Sequence, residues 1–161
     1  MEQWGSGSRA TGRRWRIGGV ISEMFAAGSD SEATGHLDRG PFVDGLAEAV
    51  AVGELTSLEF DTLQSVLTGA SFRDVLESGE GGLVEARSDT GPWVSRVRPR
   101  LTQAMAEVNG AHIDQIARRW AARDEVEDIS AETLAVILRP LSELARTVNE
   151  RGLHLYLWNS L

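Results

Sequence analysis

Residues 130–161 read SAETLAVILRPLSELARTVNERGLHLYLWNSL, a stretch that combines the pattern of a long helix with that of a buried strand. Ser130 is a good N-cap, and Gly152 can adopt the left-handed conformation that ends a helix without a Cβ clash. Between them, apolar residues recur at three- and four-residue steps, which places them along one side of a helix. The pattern predicts a helix over residues 131–151, with a kink or two abutting helices at Pro140, because proline removes a hydrogen bond and clashes with the preceding turn.

The segment Leu153–Trp158 predicts a strand that is covered on both faces. Alternate side chains of a strand point to opposite faces, so the leucines share one side while His154, Tyr156 and Trp158 share the other. Both sides are largely apolar or amphipathic, which is typical of an interior strand rather than an exposed edge. Residues 21–26 also have strand character, and we expect the two segments to form the middle of a small sheet.

Helix signals occur at several other places along the chain. Thr56 and Glu59 form a capping box, and Pro99 suits the first position of a helix. A run from Ile113 to Ala121 has apolar residues at helical spacing. We therefore predict a single α+β domain over residues 20–161, in which four or five helices pack on the sheet. The main predicted helices span residues 56–68, 99–109, 111–123 and 131–151.

Three shorter segments are assigned from their local pattern. Phe42–Val52 fits a helix interrupted by glycines, whereas Leu83–Arg87 and Trp93–Arg98 are consistent with strands. In the helix that follows the capping box, we expect Leu58 to face the core.

Length and composition exclude several classes of protein. The chain of 161 residues has the length of one ordinary domain, and it contains no cysteine, which excludes disulfides, thiolate catalysis and cysteine-based zinc sites. No apolar run approaches the roughly 20 residues needed to cross a bilayer. Residues 1–16 also lack the hydrophobic centre of a secretory signal. These features predict a cytoplasmic protein with no membrane partner.

The net charge of −8 is unevenly distributed along the chain. Residues 1–19 contain four arginines and one glutamate, so residues 20–161 carry a net charge of −11. An acidic body disfavours nucleic acid and anionic membranes as partners of the domain itself. It suits a basic protein partner, or high solubility.

Residues 1–19 (MEQWGSGSRATGRRWRIGG) lack apolar periodicity, and their glycine, serine and arginine content predicts a disordered basic tail. One functional hypothesis is a nucleic-acid-binding arm, in which arginines contact phosphate while Trp4 and Trp15 stack on bases. The alternative is a solvated tail, or upstream sequence included by a misjudged start, with Val20 or Met24 as the true beginning.

Motifs that would identify a chemistry are missing from the sequence. It contains neither a phosphate-binding glycine pattern nor a G-x-S-x-G elbow. His36, His112 and His154 lie too far apart for their spacing to indicate a metal site. We therefore predict no catalytic residue, no metal and no cofactor, and we interpret His154 as a packing residue beside aromatic side chains.

The densest group of carboxylates lies between two predicted helices and provides the candidate site. It consists of Asp124, Glu125, Glu127 and Asp128. Its functional interpretation is a docking patch for an arginine- or lysine-rich protein. Its alternative interpretation is a solvated helix junction, stabilised by the dipole of the helix that follows.

Several segments also resemble known proteins. They are Phe25–Asp30, Leu63–Gly69, Phe72–Leu76, Ala117–Trp120 and Leu155–Trp158. Together, over residues 20–161, they resemble a family of small uncharacterised actinobacterial proteins. The segment ending in threonine and glycine is also similar, more faintly, to the YfbM-like domain of unknown function. The resemblance implies an α+β fold and supplies no site residues.

Three functional hypotheses follow, in order of preference. The first is a protein-interaction module, such as an immunity protein or antitoxin that masks a basic partner. The second is a small hydrolase-type enzyme, which requires a pocket with His36 or His154 beside a carboxylate of raised pKa. The third is nucleic-acid binding through the arginine-rich tail. The sequence leaves the oligomeric state open.

Overall fold

The computed structural model describes residues 20–161, so the predicted disordered tail and the nucleic-acid hypothesis based on it lie outside the described residues. Five strands form one antiparallel sheet in the order β2-β1-β5-β4-β3. The strand that closes the quoted stretch is thus the central one, and it pairs with the first strand along its whole length. The strands are β1 (Ile21–Ala27), β2 (Ala49–Ala51), β3 (Gly82–Ala86), β4 (Trp93–Arg96) and β5 (His154–Ser160).

Six α-helices lie within the described residues, and three of them begin at the start signals that the sequence analysis names. Thr56 and Glu59 form the capping box of the second helix, and Pro99 is the first residue of the fourth. The helices and the sheet together confirm the α+β class. They also confirm that β1 and β5, the first and last strands along the chain, pair in the middle of the sheet. The helices are α1 (Asp30–Thr34), α2 (Ser57–Thr68), α3 (Phe72–Glu77), α4 (Pro99–Ala106), α5 (Ile113–Ala121) and α6 (Ala131–Arg151).

Helix α6 continues through Pro140 without interruption. Ser130 caps its first turn by accepting a hydrogen bond from the Thr133 N–H, and Gly152 ends it with a φ of 67°. The alternative of two abutting helices is therefore wrong. Because proline has no N–H, the Val136 carbonyl lacks its usual helical donor four residues later. Val136 lies on the exposed face of α6, where water can solvate this carbonyl.

The sheet is covered on both faces, and β5 contributes to the core on each side. Leu155 and Leu157 belong to the larger core, which lies between the sheet and the long helices. Tyr156 and Trp158 belong to a smaller core on the opposite face, beneath α1 and the loop that follows it. The predicted doubly covered strand is confirmed.

The predicted helix over residues 42–52 is wrong, because this segment contains turns followed by the edge strand β2. Gly40 and Gly45 adopt φ values of 84° and 82°, which reverse the chain before β2. At Gly40 the backbone also lies close to the core, since a Cβ there would be 3.1 Å from the Trp158 ring. The helical spacing in this segment is overridden by pairing of β2 with β1.

The expected burial of Leu58 is also wrong, because this residue is 45% exposed. The buried face of α2 is formed by Phe60, Leu63 and Val66, on the side of the sheet that carries the larger core. Leu58 lies in the first turn of α2.

Candidate functional site

The four predicted site residues lie in the short link that joins α5 to α6. Asp124, Glu127 and Asp128 are exposed, whereas Val126 between them is only 3% exposed and belongs to the larger core. Asp128 has a φ of 62°, a left-handed conformation that turns the chain towards the N-cap of α6. The buried valine therefore fixes the link, and the three carboxylates on either side of it point away from the core.

Glu125 differs from the other three because its carboxylate is engaged within the protein. Its Oε1 atom lies 3.7 Å from Arg123 Nε and 3.5 Å from the Thr62 hydroxyl on α2. The Glu125 side chain is about a quarter exposed. The structure thus brings Asp124, Glu127 and Asp128 together as an exposed group, which we call the acidic link. Glu125 instead connects this segment to α2.

The acidic link lies at the N-terminal end of α6, where the helix dipole favours negative charge. Glu132 adds a further exposed carboxylate in the first turn of α6. This position stabilises the helix whether or not a partner binds. A solvated helix junction and a docking patch are therefore both compatible with the position of these carboxylates.

A groove with a volume of ≈ 480 Å³ runs between α5 and α6, next to the acidic link. Its two sides carry charges of both signs, Asp114 and Arg118 on α5 and Glu132 and Arg139 on α6. Its apolar lining comes from Ala131, Ala135 and Val136. The sequence interpretation missed this groove, although Val136 already stands outside the apolar repeat of α6.

The opposite face of the sheet holds several buried polar groups that could have formed an active site. Tyr156 donates a hydrogen bond of 2.7 Å from its hydroxyl to Asp30 Oδ1. Burial, together with the hydrogen bond to Asp30, raises the pKa of Tyr156 to about 12. A phenol with this pKa holds its proton at neutral pH and acts as a hydrogen-bond donor that attaches α1 to β5.

His36 lies beside a carboxylate, so its surroundings bear directly on the enzyme hypothesis. His36 Nδ1 lies 2.8 Å from Asp44 Oδ2, and Arg39 Nε lies 3.0 Å from the other oxygen of the same carboxylate. The hydrogen bond with His36 lowers the pKa of Asp44, and Arg39 lowers it further. The enzyme hypothesis required a raised carboxylate pKa beside the histidine, whereas the pKa of Asp44 is lowered.

Among residues 20–161, a raised carboxylate pKa occurs elsewhere, at Glu23 on β1. Burial raises its pKa, and the hydrogen bond that Glu23 Oε1 accepts from the Phe42 N–H, at 3.0 Å, acts in the opposite direction. His154 lies on β5 opposite Ala27, and neither it nor His36 lines the α5–α6 groove. Within residues 20–161, no group of three or more His, Asp or Glu side chains is arranged to hold a metal ion.

One ion pair that the sequence did not reveal connects distant segments of the chain. Arg98 Nε lies 2.7 Å from Asp61 Oδ1, and both side chains are largely buried. Arg98 Nη1 also donates to the Ser78 hydroxyl and to the Glu80 carbonyl, at 2.8 and 2.7 Å. Every contact of this guanidinium is internal, which indicates a structural role for Arg98 and Asp61.

Comparison of the chain with protein-family models, with curated proteins and with solved structures finds no match to any of them. Within residues 20–161, every helix is too short or too polar to cross a lipid bilayer. A function for this chain is therefore inferred from its geometry and charge alone.

Proposed function

We propose that this chain is a protein-interaction module that binds a basic protein through the acidic link, as an immunity protein or antitoxin masks a basic partner. The observation that supports this proposal is the outward position of Asp124, Glu127 and Asp128 around the buried Val126. Because the link is fixed before binding, little conformational entropy is lost when a partner binds.

The charge of the whole domain favours the same kind of partner. Residues 20–161 carry a net charge of −11, and most of their carboxylates are exposed. A field of one sign accelerates the encounter with a positively charged protein and discriminates against acidic ones. Binding of this kind weakens as salt screens the charges.

The test is affinity purification from the native host, followed by titration calorimetry with the recovered partner. The test variant replaces the acidic link with neutral side chains of similar size, Asp124→Asn, Glu127→Gln and Asp128→Asn. The matched control changes the net charge by the same amount at exposed carboxylates outside the link, Asp74→Asn, Glu85→Gln and Asp89→Asn.

We expect the unmodified chain and the control to retain the same basic protein, and the link variant to bind it at least about tenfold more weakly. The affinity should also fall with salt more steeply for the unmodified chain than for the link variant. Equal affinity of the link variant and the control, or recovery of acidic partners only, would contradict the proposal.

A further inference from the structure

We infer that the exposed face of α6 formed by Glu132, Val136 and Arg139, together with the α5–α6 groove, is a contact surface between two copies of this chain. The two copies would be related by a two-fold axis, with their α6 helices antiparallel. This inference does not depend on the proposed function, because it uses the face of α6 beside the groove rather than the acidic link.

The first argument is the apolar character of this surface. Val136 is 73% exposed, the highest value among the large hydrophobic side chains of the described residues. A single exposed valine is ordinary on a protein surface. Val136, however, lines the groove together with the smaller side chains of Ala131 and Ala135. Small side chains at these positions leave room for the valine of a second copy.

The second argument is the order of charges along α6. The midpoint between Ala135 and Val136 lies halfway between Glu132 and Arg139 in the sequence. A two-fold axis through that midpoint therefore places Glu132 of each copy opposite Arg139 of the other. Such reciprocal pairing is the defining property of a two-fold interface.

The third argument is that, among the described residues, neither of these two charges has an ion-pair partner within one copy. Glu132 and Arg139 are seven positions apart on α6, a separation of roughly 10 Å along the helix axis. Among residues 20–161, no ion pair forms between either of them and the oppositely charged Arg118 or Asp114 across the groove. A second copy would provide each of them with an opposite charge at close range.

In the resulting arrangement, the exposed face of each α6 packs into the groove of the other copy. The α6 helix of each copy would then lie against both α5 and α6 of the other copy, with neighbouring axes about 8–10 Å apart. The two-fold axis would carry the acidic links to opposite ends of this four-helix contact. Both links would remain accessible in the dimer.

The test measures the molecular mass of the full chain in solution by sedimentation velocity, from low to high micromolar concentration. The chain has a mass of 17.5 kDa, and we expect twice that value at high concentration. Glu132→Arg alone, and Arg139→Glu alone, should weaken the dimer about tenfold or more, because like charges then face each other at both ends of the contact. The double variant with both changes should restore it, because the pair is reversed rather than lost.

The matched control is Glu150→Arg, which makes the same charge change on the same helix outside the paired segment and should leave the dimer intact. Circular dichroism of each variant verifies the fold, since an arginine at position 132 opposes the dipole of α6. If Glu132→Arg does not fold, Arg139→Glu and Val136→Glu, both beyond the first turn, test the same surface. A monomer at all concentrations, or a dimer that Arg139→Glu and Val136→Glu leave unchanged, would overturn the inference.

Discussion

At the scale of single residues, three polar side chains hold α1 and the loop after it against the sheet face that carries the smaller core. The Tyr156 hydroxyl donates to Asp30, and the Trp158 Nε1–H donates to the Leu37 carbonyl at 2.8 Å. On β1, Glu23 accepts from the Phe42 N–H. α1 and the loop after it are therefore attached to the sheet by side-chain hydrogen bonds, each of which satisfies a buried polar group.

Tyr156→Phe tests this attachment. It removes the hydroxyl that donates to Asp30 and leaves the ring in the core, so we expect a loss of about 1 kcal/mol in the free energy of unfolding at neutral pH. Urea denaturation measures the difference. A variant as stable as the unmodified chain would show that the hydrogen bond contributes nothing to holding α1.

The raised pKa of Tyr156 also predicts a dependence of stability on pH. The unfolded chain releases the phenolic proton near pH 10, whereas the folded chain keeps it until about pH 12. Tyr156 therefore contributes stability that is fully present below pH 10 and is lost as the pH rises towards 12. Because the sequence contains a single tyrosine, tyrosinate absorbance reports this titration directly. Tyr156→Phe should lack this alkaline loss.

At the scale of elements, α6 shows which features of the fold are encoded locally. Ser130 and Gly152 predict both of its ends, and the apolar repeat between them predicts the buried face. β2 has no comparable local signal, because a strand from Ala49 to Ala51 depends on β1 for its hydrogen bonds. Sequence reasoning therefore succeeds for the long helices and for β5, and it fails where a distant segment decides the structure.

Ser130→Ala tests the cap of α6. The serine oxygen accepts a hydrogen bond of 3.1 Å from the Thr133 N–H, and its removal should cost about 1 kcal/mol of stability. Ser57→Ala, an exposed serine inside the first turn of α2, is the control and should change stability by less than about 0.5 kcal/mol. If thermal denaturation shows equal losses for both variants, Ser130 does not act as a cap.

At the scale of the whole molecule, the fold depends on β5 because this strand contributes to both cores. Alternation along β5 predicted which side chains share a face, and the structure places Leu155 and Tyr156 in different cores. The candidate site was harder to predict from the sequence. The exposure of the acidic link follows from the burial of Val126, and the groove at Val136 exists only because α5 lies beside α6.

Leu155→Ala tests the central position of β5. Leu155 is 1% exposed in the larger core, and its truncation should cost about 2–5 kcal/mol through lost transfer energy and an internal cavity. Leu83→Ala, on the edge strand β3 with 63% exposure, should change stability by less than about 0.5 kcal/mol. An unchanged melting curve for Leu155→Ala would contradict a buried central strand.

The position of β5 also constrains how the protein is made. A ribosome synthesises β1 to β4 before β5, yet β5 is the strand that joins β1 to β4. Until it emerges, the nascent chain can hold two separate pairs of strands, each with an open edge that could bind another chain. Closing the sheet then requires contacts between residues more than a hundred positions apart, such as Phe25 and Tyr156. Such distant pairing slows folding, which prolongs the interval in which these two edges are open.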